Sequence, residues 1–220
     1  MMIEAAGKRI YIDPAPPGDF KNRPQADLIL ITHSHPDHLN AALIQSLSGP
    51  GTLVLAPSSV AETIHQASVI SNGETKNWNG WSIEAVPMYN LKRGPVAGQF
   101  FHPKGLGNGY VLSYGGKRFY ISGDTEDVPE LEALKNIDVA FICMNLPYTM
   151  TPDEAAHLAR AIHPSIVYPY HSRGTDLQQF KSDLAGSGID VRILDWYANS
   201  APGAAAQPNH PAPPPPTAAH

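Results

Sequence analysis

The stretch that most restricts this chain is Leu28-Ile29-Leu30-Ile31-Thr32-His33-Ser34-His35-Pro36-Asp37-His38. Four consecutive branched or apolar residues read as a strand buried on both faces, placed in the middle of a sandwich or α/β sheet. The loop after such a strand is where α/β proteins place their chemistry. Here it carries three histidines and an aspartate. His33 and His35 are two apart, so in an extended loop they point the same way. Neutral imidazoles with a carboxylate are the donor types that suit Zn²⁺ and its neighbours. A metal also requires the neutral imidazole, which removes the repulsion that clustered protonated histidines would suffer.

The chain has 220 residues, 42% of them hydrophobic, enough for one well-cored domain and too few for two comfortable ones. A formal charge of −5 with 16% charged residues argues against a broad basic surface, and so against nucleic acid as a partner. No apolar run reaches the ~18 residues that span a bilayer. The single cysteine, Cys143, lies in an apolar run and reads as a small buried hydrophobe; no internal disulfide can form, which suits a reducing, cytoplasmic setting. The N-terminus has no signal-peptide layout and opens abruptly in a strand, leaving open an upstream piece with further strands or an export signal.

Along the chain, Ile3 to Ala6 and Arg9 to Asp13 read as a hairpin, and Pro14 to Ala26 as a proline-rich loop. A helix at Asn40 to Leu47 with Leu39, Leu43 and Leu47 on one face precedes a strand at Thr52 to Ala56. Ser59 to Glu62 has the form of a capping box opening a second helix. Trp81 to Val86 is a strand, Met88 to Lys104 a long irregular loop, and Gly109 to Tyr114 with Lys117 to Ile121 a hairpin about Gly115-Gly116. Then come a helix at Pro129 to Leu134 and a strand at Val139 to Met144. A capped helix from Thr151 turns Ala155, Leu158, Ala159 and Ile162 inward. A strand at Ile166 to Tyr168, a helix at Asp176 to Leu184 and a strand at Val191 to Leu194 follow. This is an α/β pattern. Residues 1–198 form the domain; 199–220, rich in alanine and proline, cannot bury a core and read as a disordered tail.

Two more polar residues close predicted strands: Asp124 after Ser122-Gly123, and His171 after Pro169-Tyr170. Gly123 allows close backbone approach. Taken with the 33–38 cluster, Ser122-Gly123-Asp124-Thr125, His102-Pro103-Lys104-Gly105-Leu106-Gly107-Asn108-Gly109-Tyr110, Tyr148-Thr149-Met150 and Tyr170-His171 make the chain resemble the metallo-β-lactamase-fold hydrolases. The likeness is to the branch that includes ascorbate-6-phosphate lactonase and related metal-dependent hydrolases.

The resemblance implies a four-layer αββα sandwich, one or two N-terminal strands short, with two divalent metal ions at one sheet edge. Zinc is the first choice, manganese or iron the alternatives. His33, His35 and a later histidine would hold one ion, Asp37, His38 and His171 the other, and Asp124 would bridge them. His102 fills the later place, although relatives carry a histidine nearer the preceding strand, where this chain has Tyr89-Asn90. Aspartate at 124, where β-lactam-degrading members carry cysteine, argues against antibiotic hydrolysis.

Two dications against Asp37, Asp124 and a bridging hydroxide leave a net positive site, suited to a small anionic substrate. The hydroxide would attack a small ester, lactone or phosphoester, with Asp37 orienting it and taking its proton and Tyr148 as the candidate acid. Lys92, Arg93, Lys104 and Arg173 stand as substrate-holding candidates, against a solvated basic loop. Alternatives are an iron-dependent oxidoreductase on the same scaffold, which would lack part of this ligand set, and an RNA-processing nuclease, which would need a basic exosite. Oligomeric state is not legible.

Overall fold

In a computed structural model that describes residues 1–20 and 22–196, two sheets pack face to face. The expected tail lies outside the described residues. The first sheet holds β1 (Met2–Ala5), β2 (Lys8–Ile12), β3 (Leu28–Leu30), β4 (Leu53–Ala56) and β5 (Ser68–Val69), in that order. β1 and β2 are antiparallel; β2 through β5 run parallel. The run that opened the sequence argument is therefore the central strand.

Side chains alternate across a pleat, and both faces of this sheet are covered. Ile10, Ile12, Leu28, Leu30 and Leu55 enter the core between the sheets. Tyr11, Ile29, Ile31, Val54 and Ala56 form a second apolar layer with Ile44 and Leu47 of α1 (Ala41–Leu47) and Val60 of α2 (Ser58–Ala61). Helix α1 seats Ile44 with Leu47, while Leu43, expected to be buried, is only half-buried. The capping box expected at Ser59 does not form. Helix α2 is a single turn with Pro57 as its cap residue, Glu62 ends it, and the Ser59 hydroxyl donates to the Leu106 carbonyl instead, at 2.7 Å.

The second sheet comprises β6 (Thr75–Trp78), β7 (Trp81–Met88), β8 (Gly107–Tyr114), β9 (Lys117–Ile121), β10 (Val139–Cys143), β11 (Ile166–Tyr170) and β12 (Asp190–Val191). Its spatial order is β12-β11-β10-β9-β8-β7-β6. β6 to β9 form an antiparallel meander, and β9 to β12 run parallel. Helices α3 (Pro129–Glu132), α4 (Pro152–Ile162) and α5 (Leu177–Asp183) complete the layers, giving the expected α/β/β/α sandwich. Gly115 and Gly116 both take positive φ, as the two-residue turn requires.

Strands β5 and β6 were not expected. β5 is two exposed residues and has no local signal. β6 had one: Asn79-Gly80, with φ of 46° and 81°, is the two-residue turn that pairs Trp78 with Trp81. The last strand is shorter than expected, ending at Val191.

Candidate metal centre

The loops that follow β2, β3, β7, β9 and β11 meet at one end of the sandwich, because parallel strands share their carboxyl ends. The first sheet contributes the 33–38 cluster and the second contributes His102, Asp124 and His171. Three groups of donor atoms gather there, the atoms within each lying within 4.8 Å of one another: His33, His35 and His102; His33, His38 and Asp124; and Asp37, His38 and His171. The seven residues expected as ligands therefore gather in one cluster. Asp124 lies between the outer groups, with Oδ1 3.5 Å from His38 Nε2 and Oδ2 3.6 and 3.8 Å from the Nε2 atoms of His102 and His171.

Backbone geometry makes the convergence. Gly123 has φ 61°, and a Cβ there would lie 2.7 Å from Met88 Sδ. Only glycine lets the strand end turn Asp124 into the site. His171, one residue past β11, takes the left-handed region at φ 45°, a strained conformation for a side chain.

Three of the five imidazoles, those of His33, His38 and His102, are fixed from behind. His33 Nδ1 donates to Thr32 Oγ1 at 2.9 Å, and that hydroxyl donates to Asp13 Oδ2 at 2.7 Å. His38 Nδ1 donates to the same carboxylate at 2.8 Å. His102 Nδ1 donates to Asn90 Oδ1 at 2.7 Å, and its backbone N–H does so at 2.8 Å. With Nδ1 protonated, Nε2 presents its lone pair to the pocket. Asn90 thus holds His102. Its Nδ2 donates to Glu126 and to the Tyr148 carbonyl, at 3.3 and 2.8 Å.

Asp13 is the residue that sequence reasoning missed. It was read only as the end of a strand. It also sits one residue past a parallel strand at the same sheet edge, with φ 47°, the position His171 occupies in the other sheet. The available signal was a polar residue closing a predicted strand, as Asp124 and His171 do.

The electrostatics are those of crowded donors. Burial pulls the His33 imidazole far below its usual range, and the neighbouring His38 adds to this. Burial also opposes charge on His38, but Asp124 and Asp13 outweigh it and hold that ring well above the usual value. Asp124 is driven well down: burial resists, and His171 and His38 prevail. Asp37 falls to about 2, burial being overcome by its bond to His171. His38 Nε2 and Asp124 Oδ1 are buried, and neither makes a well-formed hydrogen bond. Donors 2.0–2.2 Å from one cation at tetrahedral angles stand about 3.3–3.6 Å apart, and the contacts here run from 3.0 Å for His33 Nε2 to His35 Nδ1 up to 3.8 Å. The residues fit a cation centre.

Three of the four basic side chains singled out as substrate holders are paired with glutamates. Lys92 and Arg93 pair with Glu154 at 2.5 and 2.7 Å, Arg93 also faces Glu126 at 3.2 Å, and Lys104 pairs with Glu130 at 2.6 Å above the Tyr89 ring. Buried Glu126 accepts the backbone N–H groups of Leu91, Lys92 and Arg93 at 2.9–3.0 Å, which fixes the start of the 89–106 loop. Arg173 is half-buried two residues beyond His171. Tyr148 is half-buried with its ring edge against Phe101, centroids 4.9 Å apart. Cys143 is buried, its thiol pushed up to about 12 by that burial, and it acts as a packing residue.

Fold and site together define a metal enzyme of metallo-β-lactamase type. The Beta-lactamase superfamily domain model matches residues 1–171. The UPF0173 metal-dependent hydrolase of Thermococcus kodakarensis is 31% identical over 209 residues, covering 88% of this chain and 91% of that one. A crystal structure described as a metal-dependent hydrolase from Parabacteroides distasonis superposes with a TM-score of 0.82 at 42% identity, covering 87% of each chain. Igni18, described as a metallo hydrolase from Ignicoccus hospitalis, shares the fold at a TM-score of 0.72 and 22% identity, over 88% of this chain and 90% of its own. The chain belongs to the β-lactamase superfamily, among its metal-dependent hydrolases. Among the described residues no helix is long and apolar enough to cross a membrane.

Proposed function

We propose that this hydrolase holds two divalent cations and cleaves a small carboxylic ester or lactone, with phosphoesters as the competing class. His33, His35 and His102 would hold one ion, Asp37, His38 and His171 the other, and Asp124 would join them; zinc, manganese and iron all suit this donor set. The observation that carries the reading is Asp124, whose two oxygens face histidines of both groups at 3.5–3.8 Å. When bound, such a pair of ions polarises the substrate oxygen and brings the pKa of a shared water toward neutrality.

The protein's own part is positional and protonic. Asp37, 26% exposed where Asp124 is 4% exposed, is the carboxylate that faces the opening. It orients the attacking water and takes its proton. The water oxygen joins the acyl carbon, the acyl C–O bond breaks, and the departing alkoxide takes up a proton. Tyr148 is the proposed donor, fixed beside His102 because Asn90 binds both. Asp13, Thr32 and Asn90 keep the imidazoles aimed.

Asp13 changes the charge argument. With a third carboxylate against His38, two dications leave one positive charge before the nucleophile is counted and none after it. Lys92, Arg93 and Lys104 are already paired. Both facts favour an uncharged acyl substrate over the anionic one that the sequence suggested. The test is purification with metal quantification, then a panel of lactones, carboxylic esters and phosphodiesters. Ester or lactone turnover with two zinc or manganese ions per chain is the expected result; iron with oxygen consumption, or phosphodiester preference, would overturn it.

A further inference from the structure

Among the described residues, eight large hydrophobic side chains are exposed, and five of them, Leu91, Val96, Phe100, Leu106 and Leu146, fall on two loops. The first loop spans 89–106 and carries Asn90 and His102; the second spans 144–151 and carries Tyr148. These five are between 41% and 59% exposed. Scattered exposed apolar side chains need no explanation, but a concentration on two loops beside one site does.

The two loops are tied together beside the metal centre. Asn90 Nδ2 donates to the Tyr148 carbonyl at 2.8 Å, and Phe101 meets the Tyr148 ring edge-on. Phe100 therefore stands two residues from His102, and Leu146 two residues from Tyr148. Leu106 ends the first loop beside His33: its neighbours Gly107 and Asn108 abut the Thr32 carbonyl, with Asn108 N–H donating to it at 2.8 Å, and Thr32 precedes His33. The basic residues on these loops, Lys92, Arg93 and Lys104, are bound by Glu154, Glu126 and Glu130. What the rim offers a substrate is thus apolar surface.

We infer that the Leu91, Val96, Phe100, Leu106 and Leu146 rim is the acyl-chain subsite, and that the substrate is an uncharged ester or lactone with a medium-length aliphatic acyl group. This rests on the hydrolase reading given above. The occupant is the substrate's own tail because the rim lies on the loops that carry His102 and Tyr148. A fully buried methylene strengthens binding about fourfold; against a half-exposed wall the gain is about twofold each.

The experiment uses the metal-loaded protein and two linear series, alkanoyl hydroxamates and 4-nitrophenyl esters, from acetyl to decanoyl. Hydroxamate affinity is measured by calorimetry and ester hydrolysis by kcat/KM. Affinity should rise about twofold per methylene to roughly eight carbons, and Phe100→Ser with Leu146→Ser, singly and together, should flatten that slope. Tyr114→Ser, at the far β8–β9 turn, should leave the slope intact. A flat wild-type slope, or a slope surviving the double variant, overturns the inference. Turnover with a flat slope leaves the ester reading standing and sinks the subsite; a steep hydroxamate slope without ester or lactone turnover keeps the apolar subsite but sinks the ester reading and the substrate named here with it. Sedimentation with phosphatidylcholine vesicles through these same residues, with a flat slope, would assign the rim to a lipid surface and overturn it too.

Discussion

Asp13 illustrates how much a single side chain contributes without being a proposed ligand. Its two oxygens accept from Thr32 N, Thr32 Oγ1 and His38 Nδ1 at 2.7–2.8 Å, so it sets the tautomer of His38 and, through Thr32, of His33. Losing such a partner costs about 10–100-fold in metal affinity in comparable centres. Asp13→Ala should weaken zinc binding by about that factor in a chelator competition, leaving a folded protein by circular dichroism. The proposed ligands should behave more severely. His35→Ala and Asp124→Ala should abolish turnover and lower the metal content found on purification; full activity in either would contradict the assignment. Tyr148→Phe separates a proton donor from a packing residue. As a donor, its loss should slow esters with poor leaving groups by about 10²–10⁴-fold and spare 4-nitrophenyl esters, whose leaving group needs no proton.

Among the elements, α4 is the one whose start bears on the site. Thr151 and Glu154 make a full capping box, with Pro152 in the first turn, as the sequence led one to expect. The Glu154 carboxylate also takes Lys92 and Arg93, so the helix start anchors the loop that carries His102. Burial would raise Glu154, yet its bonds to Lys92, the Thr151 backbone and Arg93 bring it from 4.5 down to about 2. A carboxyl depressed in the folded state contributes stability above its unfolded pKa and loses it as pH falls toward the folded value. Glu154 therefore supports the fold fully above pH 4.5, and that support is lost as the pH falls from 4.5 to about 2. Discounted for the exposure of Lys92, its contribution is about 1–2 kcal/mol. Glu154→Gln should lower the thermal midpoint near pH 7 by a few degrees and make the acid limb of stability shallower, which a pH series of thermal melts would read. The α2 region shows the converse. Ser59-Val60-Ala61-Glu62 has the right residues for a cap, but the helix starts two residues earlier, with Pro57 as its cap residue, and the Ser59 hydroxyl finds a partner 47 positions away. A local motif loses when a long-range acceptor is nearer.

On the scale of the whole molecule, the proposed ligands come from both sheets. His33, His35, Asp37 and His38 follow the central strand of one, and His102, Asp124 and His171 belong to the other. Cations held there would staple the sandwich at one end. Metal bound a thousandfold above its dissociation constant adds about 4 kcal/mol to stability. Chelation should thus lower the thermal midpoint by roughly 8–16 °C, measured by calorimetry with and without added zinc; an unchanged midpoint would mean that no cation spans the sheets. The sequence alone determined the central strand, the donor types and the strand-end placement of Asp124 and His171, because burial on two faces, ligand chemistry and turn chemistry are written in neighbouring residues. It also holds, in Asn79-Gly80, the turn signal of the β6–β7 hairpin. What it left undecided depends on distance across the fold. Only the packed sheets bring Asp13 against His38, 25 positions apart, set Asn90 to hold His102, and hand Lys92, Arg93 and Lys104 to glutamates on other elements. Those pairings are settled by which strand ends and loops lie side by side, and no periodicity or spacing along a single chain encodes that adjacency.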